Sequence, residues 1–254
     1  MNEKVKQNQS DFLEHLNSFR DKFEKFYGQK YFIDNIPEIL NESIRYINST
    51  GGKRIRPFLV YECASLFDVK FEESIDAAIA IEMVHTYSLI HDDLPAMDDD
   101  DMRRGNETLH KKYNEAIAIL SGDALLTDSF VLLVERYKNI DINICIELIK
   151  LLSKSAGSAG MVGGQILDLF SNENNNKSVE LMNEMKTGAL ISCATCFGAI
   201  LGKGSKEDFN NMYNYGNSIG KVFQIKDDLL DLKGDEKILG KKTNKDKIKG
   251  KYSF

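Results

Sequence analysis

The chain has 254 residues, a net charge of −6 and 42% hydrophobic residues. That is enough apolar material for one large domain or two ordinary ones. The acidic balance excludes a general nucleic-acid binder, which is usually basic. Only three prolines occur, Pro37, Pro57 and Pro95, and strand-like runs of Val, Ile and Thr are scarce, so the fold class is predicted all-α.

Residues 3–27 repeat apolar positions at helical spacing (Phe12, Leu13, Leu16, Phe19, Phe23 and Phe26), and Gly28 is expected to end that helix. A second helix is predicted over 34–48, with Ile36, Ile39, Leu40, Ile44 and Ile47 inward. Ser49 to Gly52 reads as loop. Pro57 is tolerated only in a first turn, so a third helix starts near Arg54 and runs to about Phe67. Ser74 to Leu94 makes a long fourth helix carrying His85 and Asp92, which Pro95 stops or distorts. Residues 95–107 form a polar loop. Thr108 reads as the cap of a long helix reaching Tyr137, kinked near Gly122. Another helix covers 141–155, with Ile142, Ile146, Ile149 and Leu152 on one stripe. A helix holding Gly163 to Asp168 follows, then a polar loop from Asn172 to Asn176, helices over Ser178–Leu201 and Lys206–Leu232, and a loop-like tail.

One domain over 1–254, a bundle of about ten helices, is the economical reading. Met1 to Gln7 contains no apolar signal region. The most apolar window, Ala189 to Leu201, is shorter than the roughly 20 residues of a bilayer span. No membrane span is expected, and the reading is a soluble cytoplasmic protein. Cys193 and Cys196 have redox or metal spacing but sit in an apolar helical run with no second such pair, so they read as core.

Between Asp92 and Asp101 stand six carboxylates in ten residues. The apolar run Met83 to His91 precedes them, and Arg103 and Arg104 follow. Like charges this close repel or raise each other's pKa unless a cation neutralises them. Oxygen-only donors in such number suit a hard divalent cation, Mg²⁺ before Zn²⁺. Paired arginines suit phosphate, which they grip bidentately. The competing reading, a solvated acidic loop, does not account for the apolar lead-in. On an ideal helix Asp92 and Asp98 would stand about 240° apart. They converge only if the segment unwinds after Asp93, for which Pro95 supplies a reason.

Gln224 to Asp231 repeats this chemistry. Asp227 and Asp231 are four apart, about 40° out of register on a helix, and repel without a cation. If the two acid-bearing helices face each other, their carboxylates share metal ions around one diphosphate. Lys53 and Arg56, three apart at a helix start, suit an anion. Surface charge is the rival reading there. Gln165 and Asp168 would back the metal shell through hydrogen bonds or water. His91 reads as a buried, hydrogen-bonded histidine.

The chain resembles the trans-isoprenyl diphosphate synthases, most closely the bacterial farnesyl diphosphate synthases. The resemblance runs from Gly51 to Phe254 and rests on five motifs in the family's order. They are Gly51–Pro57, the block from His85 to Arg104, Gly164–Asp168, Lys186–Gly188, and Phe223–Asp231. It implies an isoprenoid synthase fold, a helical bundle around a central cavity. It further implies that Asp92, Asp98 and Asp227 coordinate Mg²⁺, three ions per site with Mn²⁺ as a substitute. Asp93, Asp168, Asp228 and Asp231 support that shell.

By the same resemblance Arg103, Lys186, Lys241 and Lys251 hold the diphosphate of an allylic substrate. Lys53, Arg56, His85 and Arg104 hold that of isopentenyl diphosphate. Oxygens of Lys186, Thr187 and Gln224 face an allylic carbocation. Tyr87 and Ser88, behind Asp92, set product length, an aromatic there marking short products such as farnesyl diphosphate. Geranyl or geranylgeranyl diphosphate is the alternative. The family also implies a homodimer, for which the apolar helices between 110 and 155 could supply the interface. Members usually run on past Phe254, so the chain is expected to stop short of the family's C-terminal helices. A class I terpene cyclase shares the first acid motif but usually carries Asn, Ser and Glu in its second. A non-catalytic regulatory subunit typically loses an acid motif, and both are intact here.

Overall fold

The computed structural model describes residues 3–30, 36–170 and 176–233. Among these, the chain runs through α1 (Glu3–Lys30), α2 (Glu38–Ser49), α3 (Ile55–Ser65), α4 (Phe71–Asp92), a small hairpin β1 (Met102–Arg103) and β2 (Asn106–Glu107), α5 (Leu109–Lys112), α6 (Glu115–Tyr137), α7 (Ile142–Ala156), α8 (Met161–Phe170), α9 (Asn176–Asn183), a π turn (Glu184–Gly188), α10 (Ala189–Leu201) and α11 (Lys206–Lys233). The fold is all-α.

Two helices without a polar face occupy the middle. Eleven of the thirteen α10 residues are buried, among them Leu190, Phe197 and Leu201. Fourteen of the 22 in α4 are buried, including Ile75, Ile79, Met83 and Ile90. A helix apolar on most sides has nowhere to go but the interior. α3 packs between them, α6 lies along α4, and α7 and α11 lie along α10. All four cysteines are free and buried, as expected of core residues. The α1 register is set by aromatic rings. Phe19 meets Phe58 and Tyr61 of α3 and Phe71 of α4 at centroid distances of 5.4 to 6.1 Å.

Several predicted elements shift. α1 passes through Gly28 to Lys30, and Phe12 and Leu13 face solvent while Phe19, Phe23 and Tyr27 form the buried stripe. Pro37 caps α2, three residues later than expected, and Ile39 is exposed. The polar loop before residue 108 contains the β1–β2 hairpin. The long helix expected from Thr108 is broken. Thr108 opens only the four-residue α5, and Asn114 then caps α6 by accepting the Ile117 N–H at 2.9 Å. A side-chain cap of this kind satisfies a donor that would otherwise start no helix. α6 runs straight through Gly122.

In α7 the inward stripe is Ile144, Cys145, Leu148 and Leu152, and Ile142 and Ile146 face out. The segment over 178–201 is one helical run interrupted by the π turn. α6 is long and apolar enough to cross a bilayer by length and composition, where the sequence pointed only to Ala189–Leu201 as the most apolar window and found it too short. Its inner face, with Ala118, Leu125 and Leu133, is buried in the bundle.

Candidate active site

The acid wall forms where α4 ends. Asp92 is its last residue, and the chain then turns through Leu94–Asp99. The Asp98 N–H donates to the Asp92 carbonyl at 2.8 Å, and the Asp100 N–H donates to that of Asp93 at 3.2 Å. Unwinding after Asp93 therefore brings Asp98 back beside Asp92. Burial, then the nearby charges of Asp98 and Asp93, push the Asp92 carboxyl up to about 6, with Lys186 and Arg103 opposing. Gln165 of α8 donates to Asp92 Oδ1 at 2.6 Å and orients that carboxylate.

Asp93 has a different partner. It is 1% exposed, and Arg103 on β1 grips it with Nε at 2.8 and 2.9 Å and Nη2 at 2.5 Å. Burial raises the Asp93 carboxyl's pKa and the Arg103 guanidinium works against that rise. Arg104, just past the end of β1, turns at a left-handed φ of 54° and takes a different partner. Its guanidinium donates to the Gly51 carbonyl and lies against Gly52, where an added Cβ would come within 2.8 Å of Nη1. This joins Arg104 to the loop that carries Lys53 and leads into α3 with Arg56. The half-buried His85 completes that group. Burial, then the charges of Arg56, Arg104 and Arg103, hold its pKa well below the ordinary histidine value and favour the uncharged ring. Lys53 is exposed and its Nζ lies 5.8 Å from the Phe223 ring of α11.

The third component is the π turn. π turns widen a helix by one residue and recur at functional sites. Here the turn carries Lys186 and Thr187. Lys186 Nζ pairs with Asp168 of α8 at 2.7 Å, and the Thr187 hydroxyl donates to Gln224 of α11 at 3.3 Å. α8 approaches because Gly164 has no side chain, since a Cβ there would stand 2.6 Å from the Lys186 Cα. The sequence reading used Gly164 only as a motif letter, and its role is close approach.

Tyr87 lies on α4 between its neighbours, 6% exposed, and Ser88 donates to the His85 carbonyl at 2.8 Å. Asp227, Asp228 and Asp231 stand in the final turns of α11, but their side chains lie outside the described residues, as do Lys241 and Lys251 altogether. Asp99, Asp101 and His110 bring ligand atoms within 4.8 Å of one another on the outer side of the loop.

Arg54 is the residue that sequence reasoning missed. It sits between Lys53 and Arg56 but turns inward at a left-handed φ of 50° and is 3% exposed. Its guanidinium donates to Glu24 and Glu82 at 2.7 Å and to the Asn48 carbonyl at 3.2 Å. It also lies 5.7 and 5.6 Å from the Phe23 and Tyr27 rings. Burial works against its charge, and Glu82 and Glu24 outweigh that. The buried Glu82 on the α4 face was the available signal. A carboxylate in an otherwise apolar run requires a cation.

The oxygen donors of Asp92 and Asp98, crowded and partly desolvated, fit a hard divalent cation. Crowded carboxylates with basic side chains among and beside them suit a diphosphate bound through a cation, in an all-α enzyme. The chain belongs to the polyprenyl synthetase family, whose model matches residues 37–254, and is a prenyltransferase. It is 43% identical over 213 residues to a geranylgeranyl diphosphate synthase of Cyanophora paradoxa, covering 83% of this chain and 71% of that one. It is 40% identical over 224 residues to the farnesyl diphosphate synthase of Bacillus subtilis, covering 87% and 75%. A crystal structure of a Helicobacter pylori geranyltransferase complexed with magnesium and isoprenyl diphosphate superposes with a TM-score of 0.83 at 35% identity, covering 95% of this chain and 82% of that one.

Proposed function

We propose that the protein condenses isopentenyl diphosphate head-to-tail with dimethylallyl or geranyl diphosphate, releasing pyrophosphate and making farnesyl diphosphate. The observation that carries this reading is that the adjacent Arg103 and Arg104 go to different partners, Asp93 and Gly51, and so enter two basic groups. Lys186 and Arg103 stand beside the acid wall, and Lys53, Arg56, His85 and Arg104 stand apart from it. One diphosphate needs one such group, and a condensation of two diphosphates needs both.

When bound by Asp92, Asp98 and Asp227, with Asp93, Asp168, Asp228 and Asp231 in support, Mg²⁺ (three ions per site, Mn²⁺ substituting) supplies charge that stabilises the leaving diphosphate. The residues do the rest. Lys186 exchanges Asp168 for a diphosphate oxygen, and Arg103, oriented by Asp93, does the same from β1. Lys241 and Lys251 are proposed to hold the same diphosphate. As the allylic C–O bond breaks, its electron pair leaves with the diphosphate. The Lys186 and Thr187 oxygens and Gln224 face the resulting cation. Lys53, Arg56, His85 and Arg104 hold isopentenyl diphosphate so that its double bond forms the new C–C bond. The released diphosphate then accepts the proton lost from the adjacent carbon. Apolar walls keep water from quenching the cation.

Tyr87 is the proposed floor, with Ser88 beside it. Tyr87→Ala should lengthen the products by one or more isoprene units, measured by chromatography after incubation with Mg²⁺, isopentenyl diphosphate and geranyl diphosphate. An unchanged profile would exclude Tyr87 as the floor. A geranylgeranyl product is the second reading, favoured by the 43% identity to a synthase of that name. A homodimer is also proposed. Ile119, Leu120, Val131 and Val134 of α6 and Ile142 and Ile146 of α7 are exposed, and a second copy would cover them. Cytoplasmic residence belongs to the same proposal and is supported by four free cysteines. The whole is read as one domain.

A further inference from the structure

His91 plays no part in the scheme above, yet its surroundings are unusually determined. It follows Tyr87 by one turn of α4, and the two rings meet edge-to-face, with centroids 5.7 Å apart and planes at 79°. On its far side the imidazole enters α6. Its Nε2 lies 3.1 Å from the Ile119 carbonyl, so that nitrogen carries the proton and donates. Asp123 Oδ1 is 3.9 Å away. The ring reaches α6 only because residue 122 is glycine. An added Cβ would overlap Nε2 and come within 2.6 Å of Cδ2. The imidazole is thus fixed on both sides, by a backbone carbonyl and a missing side chain on α6, and by the Tyr87 ring on α4.

We propose that His91 is a specificity-determining positioning residue, a wedge between α6 and Tyr87 that holds the tyrosine ring across the path of the growing prenyl chain. The inference rests on the reading of Tyr87 as the floor. A buried aromatic ring has two soft torsions, and Tyr87 is braced against swinging aside only where a neighbour fills the space beside it. The edge-to-face contact with His91 is such a brace. Gly122 and the Ile119 carbonyl then belong to product-length control without touching the product. They set where the wedge stands.

The test is product analysis of the Mg²⁺-supplied enzyme with isopentenyl and geranyl diphosphates for His91→Ala, His91→Gln, Tyr87→Ala and the double variant. Removing the wedge should raise the ratio of longer to parental product about tenfold, the scale of a methylene-sized change in an apolar pocket. The KM for isopentenyl diphosphate should stay near the parental value. His91→Gln keeps a donor for the Ile119 carbonyl and most of the volume, and should restore the parental profile. The double variant should lengthen products no further than Tyr87→Ala, because His91 acts through that ring. A folded, active His91→Ala with parental products, while Tyr87→Ala lengthens them, overturns the inference and leaves the floor standing. Lengthening in the double variant beyond Tyr87→Ala overturns it as well. Parental products from Tyr87→Ala would instead remove the floor itself. Should His91→Ala not fold, Gly122→Ala displaces the imidazole from the other side, and an unchanged profile there also counts against the wedge.

Discussion

The two ends of α4's functional half handle buried charge in opposite ways. At Arg54 one guanidinium is matched by Glu24, Glu82, a carbonyl and two aromatic faces. At Asp92 burial raises the carboxyl to about 6; Asp98 and Asp93 add to that rise, and Lys186 and Arg103 oppose it. Among the described residues a neutral amide, Gln165, donates to it there. A closed network of opposite charges gives a fixed geometry. A desolvated carboxylate crowded by two others gives a site that a metal ion completes. Both are withdrawn from water, so burial alone does not tell them apart; the directly bonded partners do, two carboxylates at Arg54 and a neutral amide at Asp92.

Breaking the closed network should have the largest effect. Arg54→Met leaves Glu82 buried without its cation and should lower stability by about 3–5 kcal/mol, read from denaturant midpoints. Breaking the crowded carboxylate site should do the reverse to stability while abolishing turnover. Asp92→Asn should cut kcat by about 10²–10³-fold, the scale of losing one preorganised electrostatic group. Without metal at pH 8 the same variant should be more stable than the parent by about 1–3 kcal/mol.

The pH dependence sharpens the contrast. The Asp92 carboxyl is raised from 3.8 to about 6. The folded state therefore holds its proton more tightly than the unfolded chain, so metal-free stability falls as pH rises through that interval. The loss from this group is at most about 3 kcal/mol. Thermal melts should show Mg²⁺ with pyrophosphate stabilising the protein more at pH 7.5 than at pH 5, and equal stabilisation would contradict the shift. The smallest effect should follow Gln165→Leu. It leaves every carboxylate in place but no longer orients Asp92, so Mg²⁺ affinity should drop about 10- to 100-fold by titration.

Much of this was legible in the sequence. The carboxylates and the arginines that follow them are consecutive letters, and the need for unwinding after Asp93 followed from helix geometry alone. That Cys193 and Cys196 belong to the core followed from the absence of charged residues over 189–201. Other features were not legible for identifiable reasons. Thr108 looked like the start of one long helix because Tyr113 and Asn114 interrupt no apolar period. The break comes from a side-chain cap. Ile142 and Ile146 fit a helical stripe as well as Ile144 and Leu148 do, and only the position of α10 decides which stripe faces inward. The π turn leaves no trace in composition.

Residue identity and spacing by themselves determined the helical class, the acid motifs and the basic motifs, because periodicity and local charge density are properties of neighbours along the chain. The tertiary structure alone decided the pairings. Arg103 goes to Asp93 while Arg104 goes to Gly51; Lys186 goes to Asp168; Arg54 leaves its basic neighbours for the interior. Charges are interchangeable along a solvated chain. They become distinct only when folding withdraws water from some of them and brings distant partners within hydrogen-bonding reach.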